Sequence, residues 1–228
     1  MIKKFRDETN FTSLPSEGLG EAFPLRRLGG TFKSLIIGIT GGIGGGKSTL
    51  AGLLREKGCF VFDTDFEAKR LQNEDAEVRR RMMDLFGNEI YDETGNLNRK
   101  KLAGLVFKNQ ELLSELNQII HPIVRLKLWE WQQKYAGERY LFVESAIMFE
   151  SGLYKLMDKI VVVTAPEDIR ISRVVKRDKL TVEQVRARIA NQMPEDIKIK
   201  KADIVLDSNE NQALSQSIDN MFSELEKF

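Results

Sequence analysis

Five short apolar runs recur along the chain, and the stretches between them carry apolar residues three and four positions apart. A continuous apolar run of four to six residues bounded by turn residues fits a strand covered on both faces, and the helical spacing marks the connections. The first run, Leu35–Thr40, leads through glycines into a helix over Lys47–Lys57, with Gly58 at the C-terminal cap. Cys59–Phe62 reads as strand two, ending at Asp63-Thr64-Asp65. Tyr140–Glu144, Lys159–Thr164 and Ala202–Asp207 read as strands three to five, and Gln212–Phe228 closes as an amphipathic helix. Strands alternating with helices predict an α/β fold with a doubly wound, five-stranded parallel sheet.

Residues 66–137 break the alternation and read as a helical insertion, large enough to be a substrate-binding cap. Val78, Met82, Leu85 and Phe86 recur at helical spacing and are closed by Gly87; Asp92–Asn96 is a turn suited to a small hairpin; Asn98 caps a short helix through Phe107. Leu112, Leu113, Leu116, Ile119 and Ile120 form another stripe, which Pro122 is expected to end, with a new helix from there to Tyr135. After strand four, Thr164 with Glu167 reads as a capping box, Pro166 lying in the first turn, and Thr181 with Gln184 as a second box opening a helix to about Gln192. Residues 1–33, with Pro15, Pro24, several glycines and charges of both signs, read as a mobile extension ahead of a domain at 34–228.

Between strand one and its helix, Gly41, Gly46, Lys47 and Ser48 fit the G-x-x-x-x-G-K-[ST] phosphate-binding loop. Glycines let the backbone bring its N–H groups against phosphate oxygens, and the helix N-terminus adds free donors and partial positive charge. Gly42, Ile43, Gly44, Gly45, Gly46, Lys47, Ser48 and Thr49 are therefore the expected nucleotide cradle, with Lys47 on the β- and γ-phosphates and Ser48 on Mg²⁺. The loop implies ATP or GTP. Asp63 and Asp65, at the carboxyl end of strand two, can take a proton from an attacking hydroxyl or hold Mg²⁺ through water; capping the next helix is the alternative. Glu144 either positions Mg²⁺ or forms an ion pair at the sheet edge. Arg173, Arg177, Arg186 and Arg188 suit a helical lid over about 168–200 that closes on phosphate, with Arg173 and Arg177 favoured, against a solvated helix face. Arg79-Arg80-Arg81 reads as a solvated face, and the role of His121 stays open.

Composition removes other classes. Lys and Arg number 35 against 34 Asp and Glu, a formal net charge of +1, which makes no general case for nucleic acid or anionic membrane. One cysteine, Cys59, excludes an internal disulfide; it opens an apolar strand and is expected buried. With one histidine besides, a His/Cys metal cluster cannot be assembled, no run of about 18 apolar residues suggests a membrane span, and the expected compartment is the reducing cytoplasm. A GTPase switch lacks its guanine-reading Asn-Lys-x-Asp, and a nucleic-acid motor lacks a basic, aromatic face. Nothing in the sequence sets the oligomeric state.

In combination these features resemble the dephospho-coenzyme A kinase family over about Leu35 to Phe228. Gly38 to Ser48 is similar to the family loop, which usually has serine where this chain has Gly45; Asp63-Thr64-Asp65 matches Asp-x-Asp and His121-Pro122 the His-Pro pair. Ala146-Ile147-Met148-Phe149-Glu150 aligns with Pro-Leu-Leu-x-Glu, Ala146 replacing proline, and Arg173 to Gln192 with Ala202-Asp203 and Asp207 resembles the lid and last strand. The resemblance implies transfer of the ATP γ-phosphoryl group to the 3′-hydroxyl of the dephospho-coenzyme A ribose, the step that completes coenzyme A. It implies Asp65 as the group that orients and deprotonates the hydroxyl, Asp63 assisting, and Lys47 and Arg177 neutralising the transition state.

Overall fold

The computed structural model describes residues 34–106, 109–209 and 211–227; the expected extension at 1–33 lies outside them. Strand β1 (Leu35–Thr40) holds the centre of the sheet, because its side chains are apolar on both faces and Ile37 to Thr40 are buried. It pairs in parallel with β3 (Tyr140–Glu144) on one side and β4 (Lys159–Thr164) on the other. β2 (Phe60–Asp63) lies beyond β3 and β5 (Ile204–Asp207) beyond β4, giving the order β2-β3-β1-β4-β5 with every pairing parallel. The register sets Asp63 beside Glu144 and Thr164 beside Asp207, so the carboxyl ends make one polar edge. Ligands of open parallel sheets bind along this edge.

Helices supply the crossovers that parallel strands require. α1 (Lys47–Glu56) joins β1 to β2; α2 (Thr64–Glu74), α3 (Ala76–Phe86), α4 (Arg99–Val106) and α5 (Gln110–Lys134) lie between β2 and β3. α6 (Glu167–Asp178), α7 (Val182–Ala190) and α8 (Glu195–Lys200) lie between β4 and β5, and α9 (Asn211–Leu225) follows. One face of the sheet packs Ile37, Ile39, Phe142 and Val161 against Leu50 and Leu54 of α1 and Ile218 and Met221 of α9. The other packs Val143, Ile160 and Val162 in a core with Leu71, Met82, Ile119 and Leu128 of the inserted helices. Period-two alternation divides each strand between these layers, so the runs read as continuously apolar.

Most local signals hold. Asn98 accepts the Lys101 N–H, Thr181 and Gln184 form a complete capping box, and a Tyr91–Leu97 bridge closes the small hairpin around Asp92. Three expectations are corrected. Pro122 does not end a helix: α5 runs through it from Gln110 to Lys134. The ring removes the N–H donor for the Gln118 carbonyl, a cost of about 3 kcal/mol. Leu116, Ile119, Ile120, Val124 and Leu128 are buried on both sides of it, at about 1.5–3 kcal/mol each, and outweigh that cost. Thr164 and Glu167 form no capping box, because Thr164 stays in β4 and its carbonyl accepts the Ser208 N–H; α6 starts after Pro166 with no side-chain cap. Cys59 precedes β2 and is only half-buried.

Candidate active site

The turn from Gly41 to Gly46 lies against the end of β4. Gly41 has φ of 147°, and a Cβ there would collide with the Val163 carbonyl, so no other residue fits. At Gly45 a Cβ would lie 2.7 Å from the Val163 oxygen and 2.9 Å from that of Gly42. The glycine that replaces the usual serine is thus packed edge-on against backbone. Gly46 caps α1 in the left-handed region, with the helix N-terminus following directly.

Lys47 is buried, and its Nζ donates to the carbonyls of Gly41 (2.9 Å) and Gly42 (3.1 Å). Burial pushes its pKa below the usual lysine value and the charge of Lys198 adds to this, while Glu144 and Asp65 oppose it. Ser48 Oγ donates to Glu144 Oε1 at 2.9 Å, and Glu144 Oε2 is buried without a partner. Burial raises the Glu144 carboxyl above its usual range, partly countered by the Ser48 bond. Of the two forms expected for Glu144, the ion pair is not the one seen: its carboxylate faces Ser48.

The two aspartates divide. Asp63 Oδ1 accepts the Phe66 N–H at 2.8 Å and caps α2, so the capping alternative holds for this residue. Asp65, in the first turn of α2, is free of the cap. Its pKa is raised by burial and by the charge of Asp63, against Lys47, Lys69 and the Ala146 N–H. Thr64 between them donates to the Glu144 carbonyl at 2.9 Å and fixes α2 to β3.

The arginines divide too. Arg173 donates to Ser208 Oγ at 2.9 Å and to the carbonyls of Ser208, Asn209 and Gly44, pinning α6 to the loop after β5 and to the glycine turn. Arg177 pairs with Asp178 at 2.7 and 3.0 Å and its side chain is 61% exposed. Both line a cavity over the start of α1 with Gly44, Lys47, Thr49 and Leu214. Arg188 turns to Asp178 at 3.4 Å, away from the turn. Arg80 pairs with Glu77 and Asp84 on the surface of α3, and Arg79 donates to the carbonyls of Asn73 and Gly95 and lies over Tyr91, as structural groups.

Three residues at this edge, Gln192, Arg170 and Lys198, carried no signal of their own in the sequence, and Glu150 was marked only by the family resemblance. Gln192 Oε1 accepts the Ile43 N–H at 2.9 Å. Arg170 is buried beside Gly42 and meets Glu195 at 3.5 Å. Lys198 is fully buried, with Nζ 3.2 Å from Glu150 Oε1 and 3.3 Å from the Ala146 carbonyl. Glu150 Oε1 also accepts the Met193 N–H at 2.8 Å. Burial opposes ionisation of Glu150, but Met193 and Lys198 outweigh it and leave the carboxyl below its usual range. Lys198 sits in the six-residue helix α8, two positions before Lys200, where nothing in the sequence marks one lysine as buried.

A glycine turn, a buried lysine and a serine–carboxylate pair at the edge of a parallel sheet are the geometry of a P-loop kinase fold. The family model described as dephospho-CoA kinase matches residues 35–214. The dephospho-CoA kinase of Fusobacterium nucleatum is 38% identical over 194 residues, 85% of this chain and 96% of that protein. Its counterpart in Leptospira interrogans is 40% identical over 194 residues, 85% and 94% of the two chains. Among solved structures, a Thermus thermophilus protein superposes with a TM-score of 0.76 at 35% identity, covering 85% of this chain and 99% of its own. The dephospho-CoA kinase of Campylobacter jejuni does so with 0.61 at 27% identity, covering 84% and 97%. With the family model spanning most of the chain and such relatives matched over nearly their whole length, this chain belongs to the dephospho-CoA kinase family.

Proposed function

We propose that this chain transfers the γ-phosphoryl group of Mg²⁺-ATP to the 3′-hydroxyl of the dephospho-coenzyme A ribose, giving ADP and coenzyme A. The observation that carries the reading is Asp65: a carboxylate in the first turn of α2, outside the cap, within the field of Lys47 and on the same edge as Ser48 and Glu144. Its raised pKa brings it nearer neutrality, which suits a group that orients the acceptor hydroxyl and takes its proton. Asp63 holds the start of α2 and, through its charge, sets that pKa. Backbone N–H groups from Gly42 to Thr49 cradle the phosphates, and Lys47 leaves the loop carbonyls to neutralise charge on the transferring group.

Ser48 Oγ and the unpartnered Glu144 Oε2 are the oxygens suited to Mg²⁺, which keeps several waters and takes one or two protein ligands. Bound there, Mg²⁺ neutralises charge on the β- and γ-phosphates. α6 to α8 act as the lid: Arg173 anchors its base and Arg177, exposed and held only by Asp178, swings onto the phosphoryl group. The helices at 66–137 form the acceptor side, and the cytoplasm is the expected location for a chain with a single cysteine.

The test is ADP release with Mg²⁺-ATP and dephospho-coenzyme A, AMP, CMP or buffer. Turnover with dephospho-coenzyme A far above the others, with coenzyme A as product, is expected. Preference for AMP or CMP would keep the kinase chemistry and remove the acceptor.

A further inference from the structure

Lys198 is a charged group at the site edge that the proposed reaction does not use. It is fully buried, and its Nζ lies 3.2 Å from Glu150 Oε1 and 3.3 Å from the Ala146 carbonyl. A buried ion pair is costly to desolvate, and apolar residues of similar volume in its place are often neutral or stabilising. Stability alone is therefore weak ground for a charge at this position. What the ammonium supplies is direction, because it fixes two oxygens of the turn at 146–150 that follows β3.

That turn meets the reaction centre at its other side. The Ala146 N–H lies against the Asp65 carboxylate. One residue earlier, the Ser145 N–H donates to the Ile39 carbonyl at 3.0 Å, and Thr64, next to Asp65, donates to the Glu144 carbonyl at 2.9 Å. Residues 144 and 145 are thus held by the sheet and by α2. Ala146 leaves the strand, and its carbonyl is held by Lys198 instead. Glu150 closes the far end of the turn, where its Oε1 accepts the Met193 N–H at 2.8 Å beside the Lys198 ammonium. Lys198, Ala146 and Asp65 therefore form one line of contacts from α8 to α2, through the carbonyl and the N–H of a single residue.

The stretch that carries Lys198 also meets the glycine turn. Gln192 Oε1 accepts the Ile43 N–H, and Glu195 meets Arg170 beside Gly42. Residues 192–198 touch the phosphate loop and the neighbour of Asp65 at once. We propose that Lys198 is a positioning residue for phosphoryl transfer: by holding the Ala146 carbonyl and Glu150, it sets the turn whose Ala146 N–H orients the Asp65 carboxylate. The assignment rests on Asp65 serving the acceptor hydroxyl.

The experiment measures kcat, the KM for ATP and the melting temperature of Lys198→Met, with Asp65 present and in an Asp65→Ala background, using Mg²⁺-ATP and dephospho-coenzyme A. With Asp65 present, kcat is expected to fall roughly 10- to 100-fold at an unchanged KM for ATP, since displacing a reacting group by about 1 Å costs on the order of 10²-fold. In the Asp65→Ala background the same substitution is expected to cost less than about twofold, because residues that act through one another are not additive. A loss of equal size in both backgrounds, which partial unfolding or the field of Lys198 on Lys47 would give, overturns the assignment. So does a kcat that Lys198→Met leaves unchanged. Should Lys198→Met fail to fold, Glu150→Ala decides in the same two backgrounds, its side chain being 25% exposed and open to water. A loss of roughly three- to tenfold, the scale of one hydrogen bond, is then expected only where Asp65 is present; no loss, or an equal one, overturns the assignment. Wild type that ignores dephospho-coenzyme A, or Asp65→Ala at full rate, would overturn the proposed reaction itself, whereas equal losses remove Lys198 alone, so the two failures are distinct.

Discussion

The phosphate edge of the sheet and the helical side facing it meet at Asp65, yet they are built differently. At the phosphate edge, sixteen consecutive residues from Leu35 to Leu50 supply strand, turn and helix N-terminus, and backbone N–H groups are the expected ligands. On the helical side, Asp65, His121, Ala146 and Glu150 come from three separate segments, α2, α5 and the stretch after β3. Phosphate is common to every nucleotide, so a contiguous backbone cradle serves it. The helical side instead places side by side residues that lie far apart in the chain.

The sharpest break of this contrast is Lys47→Ala. It removes a buried cation of the cradle and should lower kcat on the order of 10³-fold, since losing one preorganised stabilising group already costs about 10²–10³. The fold should survive, because the lysine is held against its own desolvation; melting temperature and single-turnover kinetics check both halves. Asp65→Asn should reduce kcat about 10²–10³-fold while the KM for ATP stays near wild type, the acid–base contribution being of that order. A larger effect in Asp63→Asn would exchange their roles.

The arginines allow a finer test. Arg177→Ala should slow phosphoryl transfer by about 10²-fold with no change in melting temperature, because its pairing is exposed. Arg173→Ala should cost roughly 1–3 kcal/mol of stability besides, because it strips donors from Ser208 and the adjoining carbonyls. Equal melting temperatures for the two variants would mean that Arg173 is not an anchor.

The smallest expected effect is on pH. Asp65 must be ionised to take a proton, so activity falls as pH drops through its pKa, and burial together with Asp63 places that acid limb above the usual aspartate range. Asp63→Asn removes one of the two raising causes, so the limb should move to lower pH. The same change replaces one capping side chain with another, and α2 should lose less than about 1 kcal/mol. An acid limb that stays put in this variant would detach Asp65 from the pH profile.

Much of the fold was legible because each strand is apolar on both faces and each crossover begins or ends at a turn or capping residue. Pro122 misled because the local penalty is visible in sequence, whereas the buried stripe that outweighs it belongs to the packed helices. Thr164 misled because a capping pattern does not reveal that its residue is committed to a strand. At the site, Lys47, Ser48 and the Asp63–Asp65 pair were legible, being fixed by neighbours within a few residues. Which of the pair caps α2 was not, since it depends on which carboxylate the α2 N–H groups take.

By itself, the sequence determined the order of strands and helices, the phosphate loop and the residue types at the sheet edge, because these follow from side-chain pattern and local backbone geometry. Only the tertiary structure decided that Lys198 is buried against Glu150, that Gln192 holds the Ile43 N–H, that Arg173 is an anchor and Arg177 is exposed, and that His121 faces Glu150 across a groove. Each of these joins residues far apart in the chain, through burial and hydrogen bonds that exist only once the sheet has set its strands side by side.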